Sequence, residues 1–86
     1  MAKYRVLIRK SAVDEVGRIP KKDLRRLVER IRSLGDEPRP HGSEKLSAQE
    51  RYRIRQGDYR VVYSVDDAMR TVEIVKIGHR SEIYRD

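Results

Sequence analysis

The sequence contains no cysteine, tryptophan or phenylalanine among its 86 residues. Without cysteine, the chain can form neither a disulfide framework nor a thiolate metal site. No apolar run approaches the roughly 20 residues that a membrane-spanning helix needs. The N-terminal stretch "MAKYRVLIRK" is too polar for a secretory signal. We therefore expect a cytoplasmic protein that makes no contact with a membrane.

Charge is what the sequence has in excess. Charged residues make up 41% of the chain, hydrophobic residues 37%, and the net charge is +7. The length suits one small domain with a modest core, and we find neither an internal repeat nor a dividing linker. We therefore expect a single domain over residues 1–86. A positive charge of this size suits a polyanionic partner such as nucleic acid or a ribosome, although many basic proteins bind neither.

The first segment of the chain predicts a strand followed by a short helix. In "KYRVLIRK", Tyr4, Val6 and Ile8 alternate with their neighbours and include β-branched residues, which is typical of a strand. Ser11 fits the N-cap of a helix that runs to about residue 16. Gly17 would weaken that helix because glycine is a poor helix former.

A second, longer helix is predicted after Pro20. Proline suits the first turn of a helix because its missing N–H would be unpaired there anyway. Apolar residues then recur at the spacing of one helical face, up to a loop that begins near Gly35. These residues are Leu24, Leu27, Val28, Ile31 and Leu34. The other face, from Lys21 to Arg32, is mostly basic and suits an acidic protein partner, ribosomal RNA or simple solvation.

The second half of the chain reads as strands. "EKLSA" suggests a short strand, "RYRIRQ" and "YRVVYSV" flank a Gly57-Asp58 turn, and "RTVEIVKI" follows the next turn. The order of elements is a strand, two helices and then a run of antiparallel strands. We therefore predict an α+β domain in which the helices pack on one face of a small antiparallel sheet.

The predicted hairpin places arginines on one face of that sheet. A two-residue loop at 57–58 puts Arg55 opposite Arg60 and Arg53 opposite Val62. Strand alternation then puts Tyr52, Ile54, Tyr59, Val61, Tyr63 and Val65 on the helix side, and Arg51, Arg53, Arg55 and Arg60 on the other. Like charges opposite each other destabilise a sheet, whereas a bound phosphate would reverse the sign of the interaction. The alternative is an ordinary solvated strand face, where arginine stems cover apolar surface.

The C-terminal segment "GHRSEIYRD" adds His79, Arg80 and Tyr84 next to the hairpin. Each of them alone suits an ordinary surface or packing position. Together with the arginines they make a set with cations for phosphate, an imidazole that titrates near neutral pH and a phenol that can stack on a base. The chain has no carboxylate cluster or His/Cys motif, which argues against a metal-dependent nuclease. We expect no cofactor and no metal.

The stretch "KLSAQERYRIRQGDYRVVYSV", followed by "VEIVKIGHRSEIYR", resembles the RelE/ParE superfamily of toxins from bacterial and archaeal toxin–antitoxin pairs. The resemblance covers nearly the whole chain. It implies a small curved antiparallel sheet with a two-helix hairpin packed on one face. In the RelE branch the toxin enters the ribosomal A site and cuts mRNA. In the ParE branch the toxin poisons DNA gyrase and is not a nuclease.

The resemblance also implies a catalytic set. RelE-type toxins keep basic or aromatic residues at the positions of Arg53, Arg55, Arg60, His79 or Arg80, and Tyr84. Arg53 and Arg55 stand where the best-known member has lysines, and arginine does not act as a general base at neutral pH. The segment between Gly78 and Tyr84 is shorter here, so His79 and Arg80 remain alternatives for one basic position.

The expected function is that of a metal-independent endoribonuclease, an mRNA interferase that inhibits translation. The 2′-hydroxyl would attack the adjacent phosphate, and the arginines would stabilise the developing charge. The expected partners are an acidic antitoxin, the ribosome and mRNA, with operator DNA bound only through the antitoxin. Two alternatives stay open, a gyrase-inhibiting toxin of the ParE type and a non-catalytic basic RNA-binding module.

Overall fold

The computed structural model describes residues 3–46 and 50–83, in which five strands and three helices are formed. In chain order they are β1 (Arg5–Ile8), α1 (Lys10–Val16), α2 (Lys21–Ser33), β2 (Glu44–Leu46), β3 (Arg51–Gln56), β4 (Tyr59–Asp66), β5 (Thr71–His79) and α3 (Arg80–Ile83). The predicted order of one strand, two helices and a run of strands is confirmed. In these residues no helix is long and apolar enough to cross a membrane.

The β3–β4 hairpin has the predicted register. Arg55 pairs with Arg60 and Arg53 pairs with Val62 across the two strands. Gly57 in the turn has a φ of 59°, in the left-handed region that a two-residue hairpin loop requires and that glycine adopts at low cost. The short turn therefore determines which residues of the two strands face each other.

The strands form one sheet in the order β1-β5-β4-β3-β2, and its pairing is mixed. β1 runs parallel to β5, whereas every other neighbouring pair is antiparallel. The α+β fold class is confirmed, and the parallel edge differs from the wholly antiparallel sheet that was expected. The alternation of side chains in β1 carries no information about strand direction. The direction depends on the helices and strands that separate β1 from β5 in the chain.

Both α1 and α2 pack on one face of the sheet, as predicted. The buried core joins residues from the helical half of the chain to residues from the sheet. Its members are Ala12, Ile19, Leu27, Ile31, Leu34, Tyr52, Ile54, Val61, Tyr63, Val72, Ile74 and Ile77. Two local predictions differ. Val28 is 36% exposed, so the buried stripe of α2 is narrower than the sequence indicates, and α1 begins one residue before Ser11, with Arg9 at the N-cap.

Polar contacts hold the loop after α2 against the sheet. The Arg39 guanidinium donates to both oxygens of Asp67, at 3.2 and 2.9 Å, and to the Tyr52 hydroxyl at 2.9 Å. The Tyr4 hydroxyl donates to Asp67 Oδ1 at 2.6 Å. We call Arg39, Asp67, Tyr52 and Tyr4 the Arg39 clasp. Beside it, the buried Tyr63 hydroxyl donates to the Pro38 carbonyl at 2.7 Å, and burial raises the pKa of Tyr63 to about 12.

Candidate functional site

The sheet face opposite the helices carries two rows of side chains. In one row Arg55, Arg60 and Gly78 are register partners on β3, β4 and β5. In the next row the partners are Glu44, Arg53, Val62 and Lys76, on β2 to β5. We call Arg53, Arg55, Arg60 and Lys76 the cationic face. Because neighbouring strands lie about 4.8 Å apart, these long side chains can converge on one anion.

Glu44 lies against two of the predicted arginines. Its Oε1 atom is 3.4 Å from Arg53 Nη2 and 3.8 Å from Arg55 Nη2. The carboxylate therefore reduces the repulsion between the two guanidinium groups. It also places a proton acceptor beside them. Glu44 is absent from the predicted site residues because the pairing of β2 with β3 has no local signal, apart from an acid at the start of a short strand.

Arg60 is buried, with only 6% of its surface exposed. Its Nη1 atom donates to the Gly57 carbonyl at 3.1 Å and to the Tyr59 carbonyl at 3.0 Å. The guanidinium group is thus held against the hairpin turn. These two contacts use Nη1 alone, and a guanidinium group carries five N–H donors. The side chain therefore has a structural role that the sequence did not indicate, beside its place on the cationic face.

Arg80 is brought to the same hairpin turn. Its backbone N–H donates to the Asp58 carbonyl at 2.8 Å, and its Nε atom lies 4.0 Å from Asp58 Oδ1. The short helix α3, which begins at Arg80, contacts β4 and β5. Two predicted site residues, Arg60 and Arg80, therefore both contact the hairpin turn at residues 57–59.

His79 lies on the other side of the sheet. It is the register partner of Tyr59, whose ring packs against the core, and the two rings meet edge-on with centroids 5.7 Å apart. His79 also lines a cavity with Glu15 and Ile19, on the side of α1. Its Nδ1 atom accepts the Ser81 N–H at 3.3 Å. The structure therefore does not bring His79 together with the arginines, whereas Arg80 contacts the hairpin turn that Arg60 also contacts.

A β-bulge explains the position of His79. The register of β4 with β5 shifts between Val62, which pairs with Lys76, and Tyr63, which pairs with Ile74. Val75 is therefore an extra residue in β5, and it exchanges the two faces for every residue that follows. Regular alternation from Ile74 would place His79 on the arginine side and Lys76 on the helix side. The bulge reverses both, which is why Lys76 is absent from the predicted site residues.

Tyr84 lies outside the described residues, so its predicted place in the site stays a prediction. Within residues 3–46 and 50–83, no three His, Asp or Glu side chains are grouped as a metal site would require. The described part of the candidate site thus consists of the cationic face, the Glu44 carboxylate and Arg80 at the hairpin turn. Such a set suits a phosphate group, because one guanidinium group can donate two parallel hydrogen bonds to phosphate oxygens.

A family model described as the ParE toxin of the type II toxin–antitoxin system parDE matches residues 4–84 of the chain. The chain belongs to this toxin family. It is 37% identical over 84 residues to a protein named toxin RelE from Mycobacterium tuberculosis, an alignment that covers 95% of the chain and 87% of that protein. The protein is therefore a type II toxin of the RelE/ParE superfamily, and it is close to RelE.

Solved structures agree with this membership. The toxin resembles the archaeal RelE–RelB complex from Pyrococcus horikoshii with a TM-score of 0.82 and 37% identity, over 91% of this chain and 96% of that one. It resembles a toxin–antitoxin complex from Mycobacterium tuberculosis with a TM-score of 0.80 and 28% identity, over 91% and 99% of the two chains. The fold of the toxin is therefore the RelE-like α+β fold.

Proposed function

We propose that this toxin is an endoribonuclease of the RelE type that cuts mRNA in the ribosomal A site. The observation that carries the proposal is the cationic face, where Arg53, Arg55 and Arg60 share one side of the sheet in adjacent register rows. Glu44 and the turn carbonyls offset part of the charge of the opposed arginines Arg55 and Arg60, and a phosphate would offset the positive charge that remains. The similarity to toxin RelE supports ribosome-bound mRNA as the source of that phosphate.

The proposed reaction is transesterification within the RNA and uses no metal ion. The 2′-oxygen of one nucleotide attacks the adjacent phosphorus, which leaves a 2′,3′-cyclic phosphate and a free 5′-hydroxyl. The guanidinium groups of Arg53, Arg55 and Arg60 stabilise the negative charge that gathers on the phosphate oxygens. The Glu44 carboxylate, which touches Arg53, is a suitable acceptor for the 2′-hydroxyl proton. Arg80 binds the same phosphate from the hairpin turn, and Tyr84 stacks on the substrate base.

The toxin's protein partner in this proposal is an acidic antitoxin. The solved relative from Pyrococcus horikoshii is a complex of RelE with RelB, and the mycobacterial relative is likewise a toxin–antitoxin complex. A net charge of +7 favours an acidic segment that orders on binding. Contact with operator DNA would then occur through the antitoxin.

Inhibition of DNA gyrase is the second candidate function, and the family description favours it. The matching family model carries the name of the ParE toxin. A gyrase inhibitor of this fold would act by binding and would have no need for a phosphate-centred set of arginines. A basic module that binds RNA without cutting it is a third candidate. The three candidate functions predict different effects on mRNA and DNA in the cell.

The deciding experiment induces the toxin and follows mRNA and DNA in parallel. The proposal predicts translation arrest with new mRNA 5′ ends that map to codons in the A site. Purified toxin should produce the same ends on programmed ribosomes. DNA damage with intact mRNA would establish the gyrase alternative, and binding to ribosomes without new ends would establish the non-catalytic one.

A matched pair of variants connects the activity to the cationic face. Arg55→Ala removes an exposed arginine from that face and should lower the cleavage rate. Arg18→Ala removes an arginine that is 79% exposed on the helix side, and should leave the rate unchanged. Equal activity of both variants would exclude the cationic face as the site.

A further inference from the structure

Hydrogen bonds hold both peptide groups that flank the Cα atom of Arg80. The Arg80 N–H donates to the Asp58 carbonyl at 2.8 Å. The next N–H along the chain, that of Ser81, donates to Nδ1 of His79 at 3.3 Å. Because only two soft dihedral angles separate the two peptide groups, these bonds together determine the direction in which the Arg80 side chain leaves the backbone. His79 therefore supplies one of two contacts that orient a residue of the proposed site.

Packing does little to hold the Arg80 side chain itself. It is 61% exposed, and its Nε atom lies 4.0 Å from Asp58 Oδ1. An ion pair in solvent at this distance restricts a long side chain only weakly. The position of the guanidinium group thus depends mainly on the backbone from which it extends, and so on the two hydrogen bonds to that backbone.

The contact with Ser81 requires a neutral imidazole whose proton is on Nε2. A backbone N–H can only donate, so the Nδ1 atom that receives it carries no proton. The Ser81 hydroxyl lies 2.9 Å from the same Nδ1 and can donate to it as well. Protonation of the ring puts a hydrogen on Nδ1 and changes it from an acceptor to a donor. The bond from the Ser81 N–H is then lost.

Residues of three elements and the hairpin turn surround the imidazole. The Tyr59 ring of β4 meets it edge-on, with centroids 5.7 Å apart. The imidazole also borders a cavity lined by Glu15 and Arg18 of α1, which form an ion pair at 3.6 Å. Arg80 follows in the chain at the start of α3, next to Asp58 of the turn. These residues hold the ring where its Nδ1 atom reaches Ser81.

We infer that His79 is a positioning residue, which orients Arg80 at the hairpin turn as long as its imidazole is neutral. The inference rests on the proposed RNA cleavage, in which Arg80 binds the phosphate that is attacked. A shift of about 1 Å in a group that positions substrate can lower a rate on the order of 10²-fold. Loss of the contact between His79 and Ser81 therefore slows cleavage through Arg80, without removing a group that touches the RNA.

Two substitutions separate the acceptor atom from the ring. In His79→Asn, the side-chain oxygen is as many bonds from the backbone as Nδ1 is, and asparagine readily accepts an N–H at the start of a helix. His79→Phe keeps a ring beside Tyr59 and has no acceptor. In single-turnover cleavage of mRNA on programmed ribosomes at about pH 7.5, His79→Phe should be on the order of 10–100-fold slow and His79→Asn within about threefold of wild type. The opposite order would show that the ring matters rather than the acceptor, and would overturn the inference.

A double-mutant cycle shows whether His79 acts through Arg80. Residues that act as a unit have non-additive effects on the rate. Arg80→Ala should be slow, and adding His79→Phe to it should lower the remaining rate by less than about twofold. Equal losses from His79→Phe in the two backgrounds would overturn the inference, and so would a wild-type rate in Arg80→Ala.

The pH profile is a readout that a purely structural contact would not change. Imidazoles titrate between about pH 5 and 8. The ratio of the wild-type rate to the His79→Asn rate should fall as the pH is lowered through this range, because protonation removes the acceptor from histidine and not from asparagine. Groups common to both proteins cancel in the ratio, and a constant ratio would contradict the role of the neutral imidazole.

The second histidine of the chain provides the matched control. His41 is exposed in the loop between α2 and β2. His41→Ala should leave both the rate and its pH profile as in wild type. A change in the profile as large as that of His79→Asn would assign the titration to His41 and overturn the inference.

The outcomes also distinguish this inference from the proposed function. A wild-type toxin that leaves ribosome-bound mRNA intact overturns the proposed cleavage, and the role of His79 with it. Wild-type cleavage together with an unimpaired His79→Phe variant overturns the inference alone. Melting temperatures of the variants should stay close to wild type, and a slow His79→Phe variant that melts far below it would show that the histidine maintains the fold rather than the position of Arg80.

Discussion

Arg60 combines a role in the fold with a place in the proposed site. It is buried on the face opposite the helices and donates to the carbonyls of Gly57 and Tyr59. Its register partner Arg55 is exposed and contacts Glu44 instead. Two arginines that face each other on a sheet therefore differ in what they contribute to stability, and the difference comes from their contacts.

Replacing Arg60 by alanine should destabilise the toxin as well as abolish its activity. The substitution removes two charge-assisted hydrogen bonds to the hairpin turn, and the free energy of unfolding should fall by about 1–3 kcal/mol. Arg55→Ala removes an exposed side chain and should change it by less than about 0.5 kcal/mol. Urea denaturation of both variants measures the difference. An Arg60→Ala variant as stable as wild type would mean that the turn contacts contribute nothing.

At the scale of elements, α2 is attached to the sheet by a narrow apolar stripe. Leu27 and Ile31 are buried, whereas Val28, the residue next to Leu27, is 36% exposed. The stripe is the part of α2 that meets the core, and the rest of its surface is largely charged. This arrangement makes the contribution of α2 to stability depend on a few residues.

Leu27→Ala tests that dependence. Leu27 is fully buried, so the substitution should lower the free energy of unfolding by about 2–5 kcal/mol through lost burial and the cavity that it leaves. Val28→Ala, on the same helix, should cost less than about 1 kcal/mol because that side chain is partly in solvent. Chemical denaturation provides both values. Similar losses for the two variants would show that α2 meets the sheet through a different face.

The Arg39 clasp should make stability depend on pH through Asp67. Hydrogen bonds from Arg39 and Tyr4 lower the pKa of Asp67 below its usual value of 3.8. A carboxylate whose pKa is lowered by folding stabilises the protein above its unfolded pKa, and the contribution is lost as the pH falls through the folded pKa. Asp67→Asn should therefore melt at a lower temperature than wild type near pH 7, and the difference should shrink below about pH 4.

Tyr4 provides the control on the alkaline side. Its hydrogen bond to Asp67 raises the pKa of Tyr4, so the contribution of its hydroxyl persists below the usual pKa and is lost as the pH rises above about 10. Tyr4→Phe should keep the Arg39–Asp67 ion pair and show a constant deficit from about pH 5 to 9. Melting temperatures across this range check both variants. A pH-independent deficit in Asp67→Asn would contradict the proposed ionic origin.

For the whole molecule, the net charge of +7 should dominate the proposed association with ribosomes. Binding that neutralises phosphates releases counterions, so the logarithm of the association constant should fall linearly as the logarithm of salt concentration rises. Removing an arginine that contacts phosphate reduces this slope by about one. We expect that reduction in Arg55→Ala and an unchanged slope in Arg18→Ala. Binding measured over a series of KCl concentrations tests it, and equal slopes in all three proteins would place the phosphate contacts elsewhere.

Local patterns in the sequence predict much of this toxin. The Gly57-Asp58 turn determines the register of β3 with β4, and alternation then places Arg53, Arg55 and Arg60 on the face away from the helices. The apolar spacing of α2 predicts the burial of Leu27 and Ile31. These features depend on residues close together in the chain, so the periodicity of a strand or helix and the geometry of a short turn are sufficient to predict them.

The tertiary structure decided three further features: the parallel β1–β5 pair, the contact of Glu44 with Arg53 and Arg55, and the bulge at Val75. Each depends on how two different segments of the chain pair or pack with each other. The bulge has the largest consequence, because one extra residue in β5 moves Lys76 to the cationic face and His79 away from it. Regular alternation cannot show this, since the bulge is a property of how β5 pairs with β4 and not of β5 alone.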